Sequence, residues 1–376
     1  MRSLSNTIGR LAALRSQLPG QDAAAAAGRL SELLDFGSNP GALGAWCYVP
    51  ETMRSGAPLV VVLHGCTQSA AAYDRGAGWS QLADQYGFAL LFPEQRRANN
   101  MNLCFNWYES ADGQRGAGEP LSIVQMIAAM VDRHDVDPAR VYINGLSAGG
   151  AMTSIMLATY PETFAGGAII AGLPFGTANG VPQAFDRMRG HGGPEDAALG
   201  ALVRAASSHP GPWPSISIWH GGADPIVDSS NADAVLAQWR SVHGVPASPN
   251  RSDRVDGHPH RVWLDAAGNA VIEDYRIGGM AHGTPLSTRG EDAYGTPGPH
   301  MLEAAISSTR HIANFWGLLE GGAQLPAAER QAGTKVTRSE RVQPVAIDDH
   351  KPVSAHARGG AGRIIEDALR AAGLMR

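Results

Sequence analysis

The stretch Val141-Tyr142-Ile143-Asn144-Gly145-Leu146-Ser147-Ala148-Gly149 joins a strand-like run to a helix-like run. Valine, tyrosine and isoleucine favour extended structure, whereas the residues from Ala148 to Tyr160 are helix-like. The join itself, Gly145 to Gly149, fits the pattern G-x-S-x-G. In that pattern a serine on a sharp strand-to-helix turn projects from the sheet, and small residues beside it let neighbouring backbone approach. The context therefore predicts Ser147 as a nucleophile.

Outward from this turn, short apolar runs alternate with longer amphipathic stretches. The strand-like runs are LVVVLHG (59–65), FALLFPEQ (88–95), VYINGLS (141–147), AGGAIIAGL (165–173), SISIWHGGAD (215–224) and EDYRIGGMAH (273–282). The helix-like stretches are 79–86, 121–134, 148–160, 230–242 and 309–319. This alternation predicts an α/β fold of the α/β-hydrolase type, with a mostly parallel, doubly wound sheet flanked by helices. Between Gly176 and Pro214 the alternation stops, and such an insertion can roof a binding cleft.

The chain is expected to have a tail at each end of one catalytic domain. Residues 1–35 are predicted to form an N-terminal arm, 36–320 the α/β-hydrolase domain, 321–360 a flexible linker and 361–376 a short C-terminal helix. The arm carries Leu4, Ile8, Leu11 and Leu14 at helical spacing, so both ends of the chain can form amphipathic helices. Such helices either pack on their own domain or contact an apolar surface.

Composition excludes several classes of protein. The chain has 376 residues, of which 44% are hydrophobic, and this is enough for a large core. A net charge of -5 offers no general attraction to a phosphate backbone, so we expect no nucleic-acid partner. No stretch is long and apolar enough to span a membrane, and the apolar runs near the N-terminus are too short or too weakly apolar for a signal-peptide core. These features favour a cytoplasmic protein.

A serine nucleophile needs a histidine base, and the base needs a carboxylate that orients it. In α/β-hydrolases both follow the serine, first the acid and then the histidine. Asp224 comes at the carboxyl end of the strand-like run SISIWHGGAD, at the edge where catalytic loops gather, and is the leading acid. Asp228 is its nearest competitor. Asp233 falls at the start of a helix, where a carboxylate is commonly a favourable first-turn charge.

Position also selects one histidine among 13. His282 lies just past the strand-like EDYRI, in a glycine-flanked loop late in the chain, and is the predicted base. His258, His260, His300 and His311 are also downstream of the acid. The first two are expected in a polar loop before a strand, and His311 inside a helix. Surface or packing roles are therefore predicted for these histidines.

The second oxyanion-hole amide of this architecture comes from the end of an early strand, which here reads His64-Gly65-Cys66-Thr67-Gln68. The backbone N–H groups of Cys66 and Ala148 are the predicted donors to the oxyanion. The Cys66 side chain is either a small buried hydrophobe or half of a disulfide with Cys104, and Cys47 is expected to be a lone core thiol. None of the three cysteines lies in a CxxC pair, so no metal site is expected.

Trp107 belongs to the segment NLCFNWY, which contains Cys104. If this segment lies near the same edge of the sheet, Trp107 places aromatic surface beside the nucleophile for an apolar acyl or aryl group. The alternative is that its ring only fills the core. Trp107 is therefore a candidate substrate-binding residue.

Several segments between Phe36 and Leu319 together carry a family resemblance: DFGSNPGAL, LHGCTQ, GWSQLADQYGFALLFPEQ, NLCFNWY, DPARVYINGLSAGGAM, YPETFAGGAIIAGLPFG, WHGGADPIV and GMAHGTPL. They resemble the esterase family of poly(3-hydroxybutyrate) depolymerases, which is related to feruloyl and acetylxylan esterases. The resemblance implies an α/β-hydrolase fold, ester hydrolysis through an acyl-enzyme, and no metal or organic cofactor. It also implies triad positions at Ser147, Asp224 and His282.

Two features depart from this family. Where such proteins often carry a cysteine after LPYG, this chain has Thr177 after LPFG, so the resemblance leaves the disulfide pattern open. Some relatives are secreted, which makes an extracellular location the alternative to a cytoplasmic one.

The motifs favour a serine esterase that hydrolyses polyhydroxybutyrate or short-chain hydroxyalkanoate esters. A feruloyl or acetylxylan esterase is the alternative within the same class, and the fold alone does not choose between these substrates. A non-catalytic protein that binds polymer granules through its terminal helices is the alternative of another class. The order of serine, acid and histidine along the chain argues against that last hypothesis.

Overall fold

A ten-stranded sheet forms the centre of the computed structural model, which describes residues 28–290 and 293–319. Its strands are β1 (Ser31–Glu32), β2 (Gly44–Tyr48), β3 (Ala57–Leu63), β4 (Ala89–Glu94), β5 (Val136–Leu146), β6 (Gly166–Ile170), β7 (Ser215–Gly221), β8 (Arg251–Val255), β9 (His258–Leu264) and β10 (Ala270–Ile277). Their order across the sheet is β1-β2-β4-β3-β5-β6-β7-β10-β9-β8. The strands from β4 to β10 in this order run parallel, and both edges are antiparallel. The predicted mostly parallel sheet is confirmed.

Helices cover both faces of the sheet, and two short strands, β11 (Thr284–Leu286) and β12 (Met301–Glu303), pair beside it. The helices are α1 (Ala70–Ala77), α2 (Trp79–Tyr86), α3 (Gly118–His134), α4 (Ala148–Thr159), α5 (Val181–Met188), α6 (Asp196–Ala205), α7 (Ser230–His243) and α8 (Ser308–Phe315). Leu59, Val61 and Leu63 of β3 join the core formed with α3, α4 and α7. Val60 and Val62 join the core formed with α1, α2 and α8. Because successive side chains of a strand point to opposite faces, this wholly apolar strand is buried on both sides.

The antiparallel edge of the sheet differs from the sequence-based expectation. His258 and His260 were expected in a polar loop, which is wrong, because both lie in β9. The sequence HPHRVWL begins with polar side chains, and the alternation of β9, which lies between β10 and the edge strand β8, is hidden because its buried positions include a histidine with charged partners. Helix α1 and strand β8 were also not anticipated.

The end of the predicted N-terminal arm takes part in the sheet. Strand β1 pairs antiparallel with β2, and Leu30 and Leu33 beside it are buried. The rest of the arm, the predicted linker and the predicted C-terminal helix, with their expected contact to an apolar surface, lie outside the described residues. No helix within residues 28–290 and 293–319 has both the length and the apolar character that crossing a membrane requires.

His260 is buried at the antiparallel edge between two carboxylates. Its Nδ1 lies 2.9 Å from Asp253 Oδ1, and its Nε2 lies 3.4 Å from Glu273 Oε2. The ring stacks on Tyr275 with 4.3 Å between the ring centres. Burial lowers the pKa of His260, but the two carboxylates outweigh burial, so its pKa is raised above the ordinary value. The folded protein therefore binds this proton more tightly than the unfolded chain does.

We expect His260→Gln to destabilise the protein more at pH 5.5 than at pH 9. Because the folded-state pKa is raised, the stabilisation is complete below the unfolded pKa of about 6.5 and is lost as the pH rises through the folded-state pKa. At pH 5.5 the free energy of unfolding should fall by about 1 to 2 kcal/mol, since Asp253 is exposed and screened by solvent. Urea unfolding of wild type and variant at both pH values measures this difference.

The Asp253→Asn variant is the matched control for this experiment. With one of the two carboxylates removed, the further effect of His260→Gln should depend less on pH than it does in the wild-type background. A loss of stability that is equal at pH 5.5 and pH 9 would contradict a charged role for His260.

Candidate active site

Ser147, the predicted nucleophile, lies on the turn between β5 and α4. Its backbone has a φ of 59° and a ψ of -117°, a conformation that residues with a side chain rarely adopt. The Ser147 N–H donates to the carbonyl of Ile170 at 2.9 Å, which ties the turn to the end of the neighbouring strand β6. The strained turn therefore has a fixed position at the carboxyl end of the parallel strands.

The first turn of α4 packs directly against the end of β3. A Cβ added to Gly149 would lie 2.5 Å from the carbonyl oxygen of His64, and one added to Gly145 would lie 2.3 Å from that of Gly149. Only glycine leaves room for this approach of backbone to backbone. The contact brings the segment that carries Cys66 next to the start of α4, so the two predicted oxyanion donors, Cys66 and Ala148, come from adjacent segments.

Asp224 and His282 meet at the same edge of the sheet. Asp224 follows β7, and His282 follows β10, the parallel neighbour of β7. His282 Nδ1 lies 2.7 Å from Asp224 Oδ2, and the two side chains are 4% and 0% exposed. The two loops are also joined by a hydrogen bond from the Ala223 N–H to the Met280 carbonyl at 2.9 Å. The structure therefore brings the predicted acid and the predicted base together.

The surroundings of Asp224 favour its ionised form. Burial raises its pKa, but His282 and the backbone N–H groups of Ile226 and Val227, at 2.8 and 2.9 Å from Oδ1, outweigh burial and lower the pKa below its ordinary value. An ionised carboxylate only accepts hydrogen bonds, so the proton of a neutral His282 lies on Nδ1. The other ring nitrogen, Nε2, then has a free lone pair that can accept a proton.

The competing aspartates have other partners. Asp228 Oδ1 accepts a hydrogen bond from the Ser230 N–H at the start of α7, at 2.9 Å. Asp233 forms a salt bridge with Arg276 at 2.9 Å, and its side chain is exposed. Each of these carboxylates therefore has a partner other than His282.

Among the other histidines, His300 lies beside the predicted base. Its Nδ1 donates to the backbone carbonyl of His282 at 3.0 Å, and the two rings are 5.6 Å apart. His300 was named among the downstream histidines with a predicted surface or packing role, and its place beside His282 was not predicted because it depends on the contact between two loops. His311 contacts Asp256 at 2.9 Å, away from this pair. Within the described ranges, no group of three or more His, Cys, Asp or Glu side chains is arranged to hold a metal ion.

The segment with the second predicted oxyanion donor is held from several sides. Cys66 and Cys104 form a disulfide, the alternative that the sequence left open, and Cys47 is a buried free thiol. The Thr67 N–H donates to the Asn102 carbonyl at 2.7 Å, which adds a backbone link between the same two segments. The Cys66 segment therefore depends on the segment around Cys104 for its position.

Trp107 lines a cavity of about 190 Å³ that lies against α4, and Ser147, Asp224 and His282 are not among the residues that line it. Ala151 and Ile155, one and two turns after Ser147 on α4, also line this cavity, together with Phe175. Polar side chains complete the lining: Glu109, Ser110, Gln114, Thr177 and Asn179. The ring of Trp107 also packs against the core, as the core-filling interpretation expects, and its role in substrate binding stays a prediction.

The cavity is walled by two segments that contact each other. The Ser110 hydroxyl donates to Asn179 Oδ1 at 2.8 Å, and the Gly180 N–H donates to the Tyr108 carbonyl at 2.7 Å. One of these segments begins the interval from Gly176 to Pro214, where the alternation of strands and helices was seen to stop. That insertion therefore forms one wall of the cavity that lies against α4.

Comparison with known proteins gives consistent matches. Residues 45–256 match the family model described as Esterase PHB depolymerase. The chain is 45% identical over 292 residues to poly(3-hydroxyalkanoate) depolymerase C of Paucimonas lemoignei, covering 77% of this chain and 70% of that protein. It is 33% identical over 271 residues to feruloyl esterase B of Neurospora crassa, covering 69% and 89%.

A solved structure shares the fold. The acetyl xylan esterase from Aspergillus awamori matches with a TM-score of 0.66 at 23% sequence identity, covering 77% of this chain and all of that one (100%). This match supports the α/β-hydrolase fold, and the sequence matches are to carboxylic ester hydrolases. The chain is a carboxylic ester hydrolase that belongs to the esterase PHB depolymerase family.

Proposed function

We propose that Ser147, His282 and Asp224 form a catalytic triad that hydrolyses carboxylic esters through an acyl-enzyme. The observation that carries this proposal is the buried 2.7 Å contact between His282 Nδ1 and Asp224 Oδ2. Both residues follow strands whose carboxyl ends lie at the edge of the sheet where the turn of Ser147 also lies. Parallel strands bring these three segments to one edge although they are far apart in sequence.

The chemistry follows from the protonation states. His282 Nε2 accepts the hydroxyl proton as Ser147 Oγ attacks the ester carbonyl, and Asp224 stabilises the imidazolium that forms. The oxyanion accepts hydrogen bonds from the backbone N–H groups of Cys66 and Ala148, and the N-terminus of α4 adds a favourable field. His282 then donates its proton to the leaving alkoxide. Water attacks the acyl-enzyme by the same steps and frees Ser147.

Ser147→Ala should lower kcat for p-nitrophenyl butyrate by a factor on the order of 10⁶, because removing the serine of a catalytic triad costs about as much as removing the whole triad. A fluorophosphonate should label the folded wild-type protein at Ser147 and should not label the variant. Steady-state kinetics and mass spectrometry of the labelled peptide measure both effects.

Ser154→Ala is the matched control for this experiment. Ser154 is a buried serine of the same helix, and its hydroxyl donates to the Leu173 carbonyl at 2.8 Å. Its replacement should leave labelling and turnover intact. A folded wild-type protein that resists the label, or a Ser147→Ala variant that still accepts it, would show that the nucleophile is wrongly assigned.

Asp224→Asn tests the choice of the acid. An amide cannot stabilise the imidazolium, and it favours the wrong tautomer of His282, so kcat should fall by about 10⁴-fold. Asp228→Asn, at the nearest competing carboxylate, should leave kcat close to the wild-type value. The acid would have to be reassigned if the two variants showed the opposite order of activity.

For the substrate we propose polyhydroxybutyrate or esters of short-chain hydroxyalkanoates. One support is the 45% identity to a poly(3-hydroxyalkanoate) depolymerase. The other is the mixed lining of the cavity against α4, where Trp107, Ile155 and Phe175 offer apolar contact and neighbouring side chains offer hydrogen bonds. A hydroxyalkanoate repeat has both an alkyl side group and an ester that accepts hydrogen bonds.

A feruloyl or acetylxylan ester is the second candidate substrate. The specific observation in its favour is that an aromatic ring, Trp107, and polar side chains line the same cavity, since a feruloyl group is aromatic and a xylan chain is polar. Values of kcat/KM for 3-hydroxybutyrate oligomers, methyl ferulate and acetylated xylan separate the two. A preference for ferulate or xylan would replace the hydroxyalkanoate proposal.

Trp107→Ala should raise KM for 3-hydroxybutyrate oligomers by about tenfold, which corresponds to about 1.4 kcal/mol of lost contact. Hydrolysis of p-nitrophenyl acetate should change little, because an acetyl group is too small to extend into the cavity. Trp107→Phe keeps an aromatic ring and should restore most of the affinity. An unchanged KM for the oligomers in a stable Trp107→Ala protein would mean that the ring only fills the core.

A further inference from the structure

Glu119, in the first turn of α3, is a buried carboxyl group that the proposed triad does not use. It is 0% exposed. Its Oε1 accepts a hydrogen bond from Gln95 Nε2 at 2.6 Å, and its Oε2 accepts one from the Asn106 N–H at 2.9 Å. A longer contact, at 3.4 Å, comes from Asn99 Nδ2. All these partners are donors, so the carboxyl group joins two segments that follow β4.

Gln95 extends this network toward the end of β3. Its backbone N–H donates to His64 Nε2 at 3.1 Å, and its side-chain Nε2 also donates to the Cys104 carbonyl at 2.9 Å. Cys104 is the disulfide partner of Cys66. Two routes therefore lead from Gln95 to the Cys66 segment, one through His64 and one through the disulfide.

His64 controls the orientation of one peptide unit. Its Nδ1 lies 2.7 Å from the Gly65 carbonyl oxygen, and because a carbonyl only accepts, Nδ1 carries the proton and Nε2 accepts from Gln95. The Gly65 carbonyl and the Cys66 N–H belong to the same peptide unit. In a planar trans peptide these two groups point in opposite directions. Holding the Gly65 carbonyl therefore fixes the direction of the Cys66 N–H.

We propose that Glu119 is a positioning residue of the esterase, which acts through Gln95 and His64 to aim the Cys66 N–H at the oxyanion. The inference rests on the proposed function, because the direction of this N–H affects the rate only if Ser147 forms a tetrahedral intermediate. Glu119 touches neither the substrate nor the triad. Its effect should therefore appear in kcat rather than in KM.

The charge of Glu119 gives the network a signature in pH. Burial and the neighbouring Asp112 carboxylate raise the pKa of Glu119 to about 8. The ionisable groups that face Glu119 are Asp112, from the turn before α3, and Tyr108. His64 contacts Gln95 and is linked to Glu119 through that residue. The segment 39–43, which packs against its backbone, carries no ionisable group.

Only the ionised carboxylate offers both oxygens as acceptors to the surrounding donors. When Glu119 is protonated, the proton on one oxygen faces a donor, and the contact with Gln95 or Asn106 is weakened. We therefore expect kcat of the wild-type enzyme to rise as the pH passes through about 8.

The test is the pH dependence of kcat and KM for p-nitrophenyl butyrate in wild type and Glu119→Gln. Glutamine keeps the size of the side chain but replaces one acceptor by a donor. The variant should have a kcat about tenfold lower at pH 9, less than the hundredfold or greater cost of removing an oxyanion donor outright. Its KM should be unchanged, and the rise in kcat near pH 8 should be absent.

Two further variants keep the inference falsifiable even where Glu119→Gln folds poorly. Gln95→Met retains the backbone N–H to His64 but removes the side-chain hydrogen bonds to Glu119 and to the Cys104 carbonyl, so it should reproduce the lower kcat and the missing rise. Glu273→Gln is the control: this glutamate is also buried and accepts a hydrogen bond from Ser217 at 2.6 Å, outside the network. It should keep the wild-type kcat and pH profile.

A double-mutant cycle tests whether the effect passes through His64. If it does, adding Glu119→Gln to His64→Ala should lower kcat little further. Full additivity in this cycle, or wild-type kcat and pH profiles in folded Glu119→Gln and Gln95→Met, would overturn the inference. Loss of fluorophosphonate labelling at Ser147 in the wild type would instead contradict the serine esterase proposal itself.

Discussion

The contact between the first turn of α4 and the end of β3 holds the strained backbone of Ser147. A residue at a φ of 59° and a ψ of -117° costs about 1 to 3 kcal/mol and persists only where its surroundings leave no alternative. Here the Ser147 N–H is bound to Ile170, and Gly149 lies against the carbonyl of His64. Strands β3 and β5 are neighbours at the buried centre of the sheet. The position of Ser147, the proposed nucleophile, is thus set by contacts at the buried centre of the sheet.

The order of the strands brings Asp224 and His282, the proposed acid and base, to the same place. Strands β7 and β10 pair in parallel with Gly221 opposite Ile277, so Asp224 and His282 lie on loops that leave the sheet side by side. The Gly222 N–H donates a hydrogen bond of 2.8 Å to the Ile277 carbonyl, which joins the starts of the two loops. Backbone contacts between the two loops therefore support the side-chain contact between Asp224 and His282. A base that is fixed in this way loses little conformational freedom when it accepts a proton.

Local sequence predicted those features that depend on local physics. Ser147 was predicted because a strand, a tight turn and a helix are adjacent along the chain, and Asp224 and His282 because each follows a strand-like run; their catalytic roles are proposals. The position of His260 in a strand and its burial were not predicted, because its charged partners come from the two neighbouring strands. The pairing of Cys66 with Cys104 stayed open, because it depends on the distance between two loops. Burial of a polar side chain is likewise a property of the assembled fold.

The burial of Glu119 near the candidate site also could not be predicted from local sequence. A glutamate in the first turn of a helix is commonly an exposed charge that favours the helix N-terminus, and nothing in the sequence around it indicates 0% exposure. In the fold its two oxygens hold Gln95 and Asn106, the residue before Trp107. Glu119 therefore stabilises both the segment next to the cavity wall and the segment that leads to the predicted oxyanion donor Cys66. Substitutions that reshape the wall near Trp107 must preserve this support, since a shift at Asn106 would be transmitted through Glu119 to the Cys66 segment.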